Sequence, residues 1–126
     1  MIHALTMGHI DPDGVRSRKA VVRQPLDMSI VERLLRELGE ADAEGRWRLG
    51  GSKVEFYEGY IAVPWLGGGT NYVAEEFARR LQEETGCVLA DREHSRVIES
   101  KQLRGLKGLA SVAQGSGAGE PDWEEA

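Results

Sequence analysis

Three observations predict an α+β fold. Two stretches carry apolar residues at helical spacing, short segments between and after them alternate apolar with polar residues, and glycines join strand to helix. A helix with a single apolar stripe must lie against another surface, and a strand with one apolar face supplies it.

The elements follow in order. "IHALTM" (residues 2–7) reads as an opening strand, and "DPDG" (11–14) as a turn. "AVVRQ" (20–24) is a second strand, stopped by Pro25. "DMSIVERLLRELGEADAEG" (27–45) is a helix whose stripe is Val31, Leu34, Leu35 and Leu38. Ser29 and Glu32 have the spacing of a capping box, with Asp27 as the competing cap. Gly39 or Gly45 ends the helix, and the acidic stretch between them is a last turn or a loop.

"KVEFYE" (53–58) and "YIAVPWL" (60–66) form a β-hairpin about Glu58-Gly59. Val54 and Phe56 share one face, as do Ile61, Val63 and Trp65. Pro64 donates no ladder bond, so the second strand lies at an edge, is bulged, or stops there. In the second helix Val73, Phe77 and Leu81 step by four beside Ala74 and Ala78, with Glu75 and Glu76 near its positive end and Gly86 as its C-cap. "CVLAD" (87–91) and "RVIES" (96–100) are closing strands about "REHS".

Strand, helix, hairpin, helix, strand is the order of a ferredoxin-like two-layer sandwich: an antiparallel sheet with two helices packed on one face. Extra strand material flanks it at both ends. Residues 1–100 are assigned to one α+β domain and 101–126 to a C-terminal extension. In the extension Leu103, Leu106, Leu109 and Val112 recur three apart, while Gly105 and Gly108 weaken a helix by about 1 kcal/mol each. "GSGAG" has linker composition, and "EPDWEEA" is an acidic end around Trp123.

A chain of 126 residues suits one domain with one core. The net charge of -5 argues against a nucleic-acid binder, which needs basic surface, and suits a partner with a basic surface. No apolar run has membrane-spanning length, and the first residues lack the pattern of a secretory leader. A single cysteine, Cys87, excludes an internal disulfide or a multi-cysteine zinc site, so a cytoplasmic location is expected.

Five constellations bear on chemistry. Gly67, Gly68 and Gly69 with Thr70 and Asn71 open the second helix, where free N–H groups can hold an anion. No lysine follows at phosphate-loop spacing, Arg79 and Arg80 lie roughly 14 Å along the helix, and Glu75 and Glu76 oppose a phosphate. A structural joint capped by Thr70 or Asn71 explains the same residues. Cys87, Asp91 and His94 contain the minimum for thiol chemistry, yet strand alternation turns Cys87 toward the core. His3, His9, Asp11 and Asp13 contain metal-ligand types, but turn chemistry accounts for the aspartates.

The fourth constellation is aromatic: of Trp47, Phe56, Tyr57, Tyr60, Trp65, Tyr72 and Phe77 most are expected in the core, while Tyr57 and Tyr60 flank the hairpin turn as anchors for a protein partner, without the basic pattern of an RNA-binding sheet. Trp123, in its acidic segment, is the fifth and offers a further anchor. The expected function is therefore a small acidic protein-interaction module of inhibitor, immunity or adaptor type. A second copy pairing on the hairpin edge is an expected alternative partner. No catalytic set, cofactor or metal site is expected. The competing function is a small-molecule or nucleotide-phosphate domain, with or without catalysis, centred on Gly67 to Asn71.

Overall fold

The computed structural model describes residues 4–16, 21–64, 71–91 and 95–106. The chain is mixed α+β, with antiparallel sheets and three helices among the described residues. Strand β1 (Ala4–Ile10) leads to a short helix α1 (Pro12–Arg16) and to β2 (Val22–Gln24). Helix α2 (Met28–Leu38) precedes three short strands, β3 (Glu40–Ala41), β4 (Trp47–Leu49) and β5 (Ser52–Lys53). The hairpin β6 (Glu55–Tyr57) and β7 (Tyr60–Pro64) is followed by α3 (Tyr72–Thr85), β8 (Val88–Asp91) and β9 (Arg96–Ile98).

The main sheet runs β6-β7-β1-β8-β9, with β2 paired to the far end of β1. Register places Leu5 opposite Val63, and Met7 opposite both Ile61 and Leu89, so these side chains share one face. Val31, Leu34 and Leu35 of α2 and Ala74, Phe77, Ala78 and Leu81 of α3 close over that face in one core. Ile10, Val15 and Ala90 form a smaller cluster with Val22, Val88 and Val97. Pro64 ends β7 opposite Ala4, at the last position where a missing N–H interrupts nothing further along.

Three segments differ from expectation. "DPDG" continues into α1: Pro12 has the fixed φ of a first helical residue, the Asp11 carbonyl accepts from Val15 N–H at 3.2 Å, and the Asp11 carboxylate accepts from Asp13 N–H at 3.1 Å. Buried Val15 anchors that turn in the smaller cluster. Helix α2 stops at Gly39, the earlier of its two expected ends, whose N–H donates to Leu35 O at 2.8 Å. The acidic stretch beyond it is strand and turn, because Glu40 and Ala41 pair with Arg48 and Trp47.

That small sheet, β3-β4-β5, has no counterpart in the expected elements. Its first turn is built on Asp42, whose carboxylate accepts from Glu44 and Arg46 N–H at 2.9 Å each. Its second is Gly50-Gly51, with φ of +57° and +86°, a pair of left-handed residues that suits a two-residue hairpin.

The caps resolve two open choices. Asp27 caps α2, accepting Ser29 N–H at 3.0 Å and the Ser29 hydroxyl at 2.6 Å, which holds its carboxyl below the usual range. Asn71 caps α3 by accepting Ala74 N–H at 3.0 Å. Its amide also donates to Leu49 O at 2.8 Å and Ser52 Oγ at 3.1 Å, fastening this end of α3 to the β4-β5 hairpin. Arg80 of α3 bridges to Glu37 of α2 at 2.7 Å, and Arg33 bridges to both Glu37 and Glu84.

Beyond β9 the chain turns through Ser100–Gln102 and brings Leu103 into the main core. Glu75 accepts Arg104 N–H, and Glu76 accepts Leu106 N–H at 3.4 Å and Arg79 Nη2 at 2.6 Å. Both carboxylates are buried because they satisfy backbone N–H groups that would otherwise lose water.

Candidate functional site

On the outer side of β6, backbone and apolar side chains are exposed together. Val54 N–H points outward and donates to Trp47 O at 3.0 Å. Two residues on, Phe56 directs its N–H and C=O to the same side. There β4 has ended, because the chain preceding Trp47 bends away around Asp42, which holds Arg46 N–H. The result is a slot of about 520 Å³ walled by Arg46, Trp47, Lys53, Glu55, Phe56 and Tyr57.

Side chains of the slot alternate between the two faces. Phe56 is paired with Ile61 on the helix side, and also borders a groove of about 330 Å³ with Met28, Val31 and Leu35. Glu55 and Tyr57 are paired with Ala62 and Tyr60 on the opposite side. Phe56 and Tyr57 are each 49% exposed and Met28 45%, so the rim has apolar surface on both faces. Tyr57 and Tyr60 stack with ring centroids 4.9 Å apart and planes 12° from parallel. Tyr57 also donates its hydroxyl to Glu55 at 2.8 Å.

Gly8 makes room for this stack. It lies opposite Tyr60, and a Cβ there would come within 2.6 Å of the Tyr60 Cβ. The glycine lets the tyrosine lie close to the central strand.

The structure brings Tyr57 and Tyr60 together as expected from their place at the turn. Trp123, Gly67, Gly68, Gly69 and Thr70 lie outside the described residues. Asn71 is described, and its side chain is engaged at both ends as cap and tether. Phe56 was expected in the core with most of the aromatic set, and Met28 was not singled out, yet both are about half-exposed, while Trp47 is half-buried against the main core. Phe56 is in phase with buried Val54, which reads as core in the sequence, and only its position beyond the end of β4 exposes it.

The other constellations are occupied structurally. Cys87 is buried in the main core, and burial pushes its thiol up. Asp91 is wholly buried, with Arg96 at 3.7 Å, while His94 lies outside the described residues. Asp11 bridges to Arg23 at 3.3 Å, and His3 is outside the described residues. Among the described residues no group of His, Cys, Asp and Glu is placed to hold a metal ion, and no helix is long and apolar enough to cross a membrane.

Comparison of the chain with protein-family models, curated proteins and solved structures gave no match. The functional argument therefore rests on the geometry of the β6 rim.

Proposed function

We propose that this chain is a ferredoxin-like protein-interaction module that takes an extended segment of a partner along β6. The order β6-β7-β1-β8, with α2 leading toward β6 and α3 joining β7 to β8, supports the ferredoxin-like assignment. On that assignment β2, α1, β9 and the small sheet are additions to the split βαβ core.

One observation carries the functional reading: Phe56 combines an outward-facing backbone with a half-exposed aromatic side chain. An open strand edge is a template for pairing, and aromatic anchors dominate binding energy at interfaces. Backbone bonds to Phe56 would supply affinity, and the pockets on either side of its ring would supply selectivity. Tyr57 and Tyr60 present a second apolar surface on the opposite face. The net charge of -5 favours a partner with basic surface around the inserted segment.

Phe56→Pro tests this directly. Proline removes the outward N–H, which the ladder to β7 does not use, and is tolerated on sheet edges. Partner capture from the native cell, compared between wild type and Phe56→Pro at equal thermal stability, should lose the partner in the variant. Retention of the same partner in Phe56→Pro and in Tyr60→Ala would refute the reading.

A further inference from the structure

We infer that the segment taken by β6 carries two adjacent residues in a fixed order, a large apolar side chain followed by a lysine or arginine. This rests on the reading of β6 as a site for an extended segment, and names the chemistry of the segment that fits there.

The register of the neighbouring strand sets the basic position. Leu49 pairs with Ser52 and Arg48 with Lys53, and the bond from Val54 N–H to Trp47 O continues the same antiparallel ladder. One step further that register would set Arg46 against Glu55, and two steps would set Gly45 against Phe56. The ladder stops before both, because β4 begins at Trp47. Arg46 turns instead to Asp42, at 3.4 Å, and to Glu44. Glu55 is left with the Tyr57 hydroxyl at 2.8 Å and, among the described residues, no ion pair. Lys53 and Arg48 lie on the same face of their strands, yet neither is paired with Glu55, and Arg48 reaches Asp42 at 3.5 Å. Glu58 of the turn has no ion pair among the described residues either, so carboxylates dominate this end of β6 while Lys53 marks the other. An incoming strand on the line that β4 leaves can supply the cross-strand cation that Arg46 does not.

The helix side sets the apolar position. Every pairing in the main sheet is antiparallel, and a strand added in the same sense sets one residue opposite Phe56 and the next opposite Glu55. The first shares the face of Phe56 and Trp47, next to the groove of about 330 Å³ that Phe56 borders with Met28, Val31 and Leu35. Val31 and Leu35 are buried while Phe56 and Met28 are about half-exposed, so a side chain of leucine or phenylalanine size removes apolar surface from water there. The second residue falls on the opposite face, beside Glu55. Opposite charges directly across two strands attract and like charges repel, so that position favours lysine or arginine over an acid. The antiparallel sense fixes the order, apolar first and basic second.

The test is an NMR titration of the full chain, read at the Phe56 amide, with capped six-residue peptides that hold a variable pair between threonines. The Leu-Lys peptide should shift the Phe56 amide and bind about fivefold more tightly than Leu-Glu, the size of a cross-strand charge reversal. It should bind about tenfold more tightly than Ala-Lys, which loses the buried side chain. Reversal to Lys-Leu should also weaken binding. Glu55→Gln should abolish the preference for Leu-Lys over Leu-Glu, and Glu55→Lys should invert it. Equal binding of Leu-Lys and Leu-Glu in wild type would overturn the inference, as would equal binding of Lys-Leu. A preference that survives in Glu55→Gln would overturn it too, assigning the effect to the overall charge. In each of those cases a shifted Phe56 amide leaves the edge reading standing. No shift at Phe56 with any of the peptides, together with partner capture that survives Phe56→Pro, would remove both.

Discussion

The two outer strands of the main sheet, β9 and β6, each belong to a short hairpin and each carry apolar residues on both faces. On β9, Ile98 is 1% exposed in the main core, and Val97 packs with Val15 of α1 in the smaller cluster. On β6, Phe56 and Tyr57 each remain 49% exposed. The larger side chains are the ones left at the surface. What separates the rims is the chain laid against them: α1 lies against β9, whereas beside β6 the neighbouring strand β4 stops at Trp47. Edge exposure is decided by such neighbours, and a rim left open with aromatic residues on it is where binding is to be sought.

Substitutions on the two rims should differ most. Ile98→Ala should lower unfolding free energy by about 2–5 kcal/mol in urea titrations, the usual result of emptying a closed core site. A loss comparable to that of a surface change would break the contrast. Next is Asn71→Ala, which removes the cap on Ala74 and leaves Leu49 O without its side-chain donor. A loss of about 1–3 kcal/mol is expected by the same measurement, with the β4-β5 hairpin exchanging its amides faster than β8 and β9. Gly8→Ala should cost about 1–3 kcal/mol through overpacking against Tyr60 and should weaken the near-ultraviolet circular dichroism of the tyrosine stack.

Acid should act on three carboxylates that accept hydrogen bonds in the folded chain. Asp27 is held below its ordinary 3.8 chiefly by the Ser29 hydroxyl, Glu37 below 4.5 by Arg80, and Asp42 below 3.8 by Arg46 N–H. Each folded-state value lies below the unfolded one, so the unfolded chain takes up protons first. The stability these groups contribute is present above about pH 4.5 and is lost as pH falls through their folded-state values. The urea midpoint should decline over that range, and Asp42→Asn should flatten the decline; an unchanged slope would remove Asp42 from the account. Smallest of all should be the stability effect of Phe56→Ala, below about 1 kcal/mol, since half of the ring is already in water. A large loss there would mean that the ring belongs to the core, and that the β6 rim resembles β9 after all.

Much of the fold was legible because local pattern and burial coincide in most of it. The stripes of α2 and α3 and the hairpin at Glu58-Gly59 all appear at the expected places. The small sheet was not legible. Its strands are two or three residues long, too short for a period to show, and its first turn depends on one aspartate gathering two amides. At the candidate site, Tyr57 and Tyr60 could be found from their place beside a turn. Phe56 and Met28 could not, because a residue in phase with a core stripe carries no sign that the covering element is missing.

Taken alone, the sequence determined the kinds of element and which face of each is apolar, since side-chain period is a local property of the backbone. It also determined the acidic charge. The tertiary structure alone decided that Glu75 and Glu76 turn inward to hold residues 104 and 106, and that β9 is sheltered while β6 is open. Those outcomes depend on which distant segments end beside one another, and no local period records where a neighbouring strand stops.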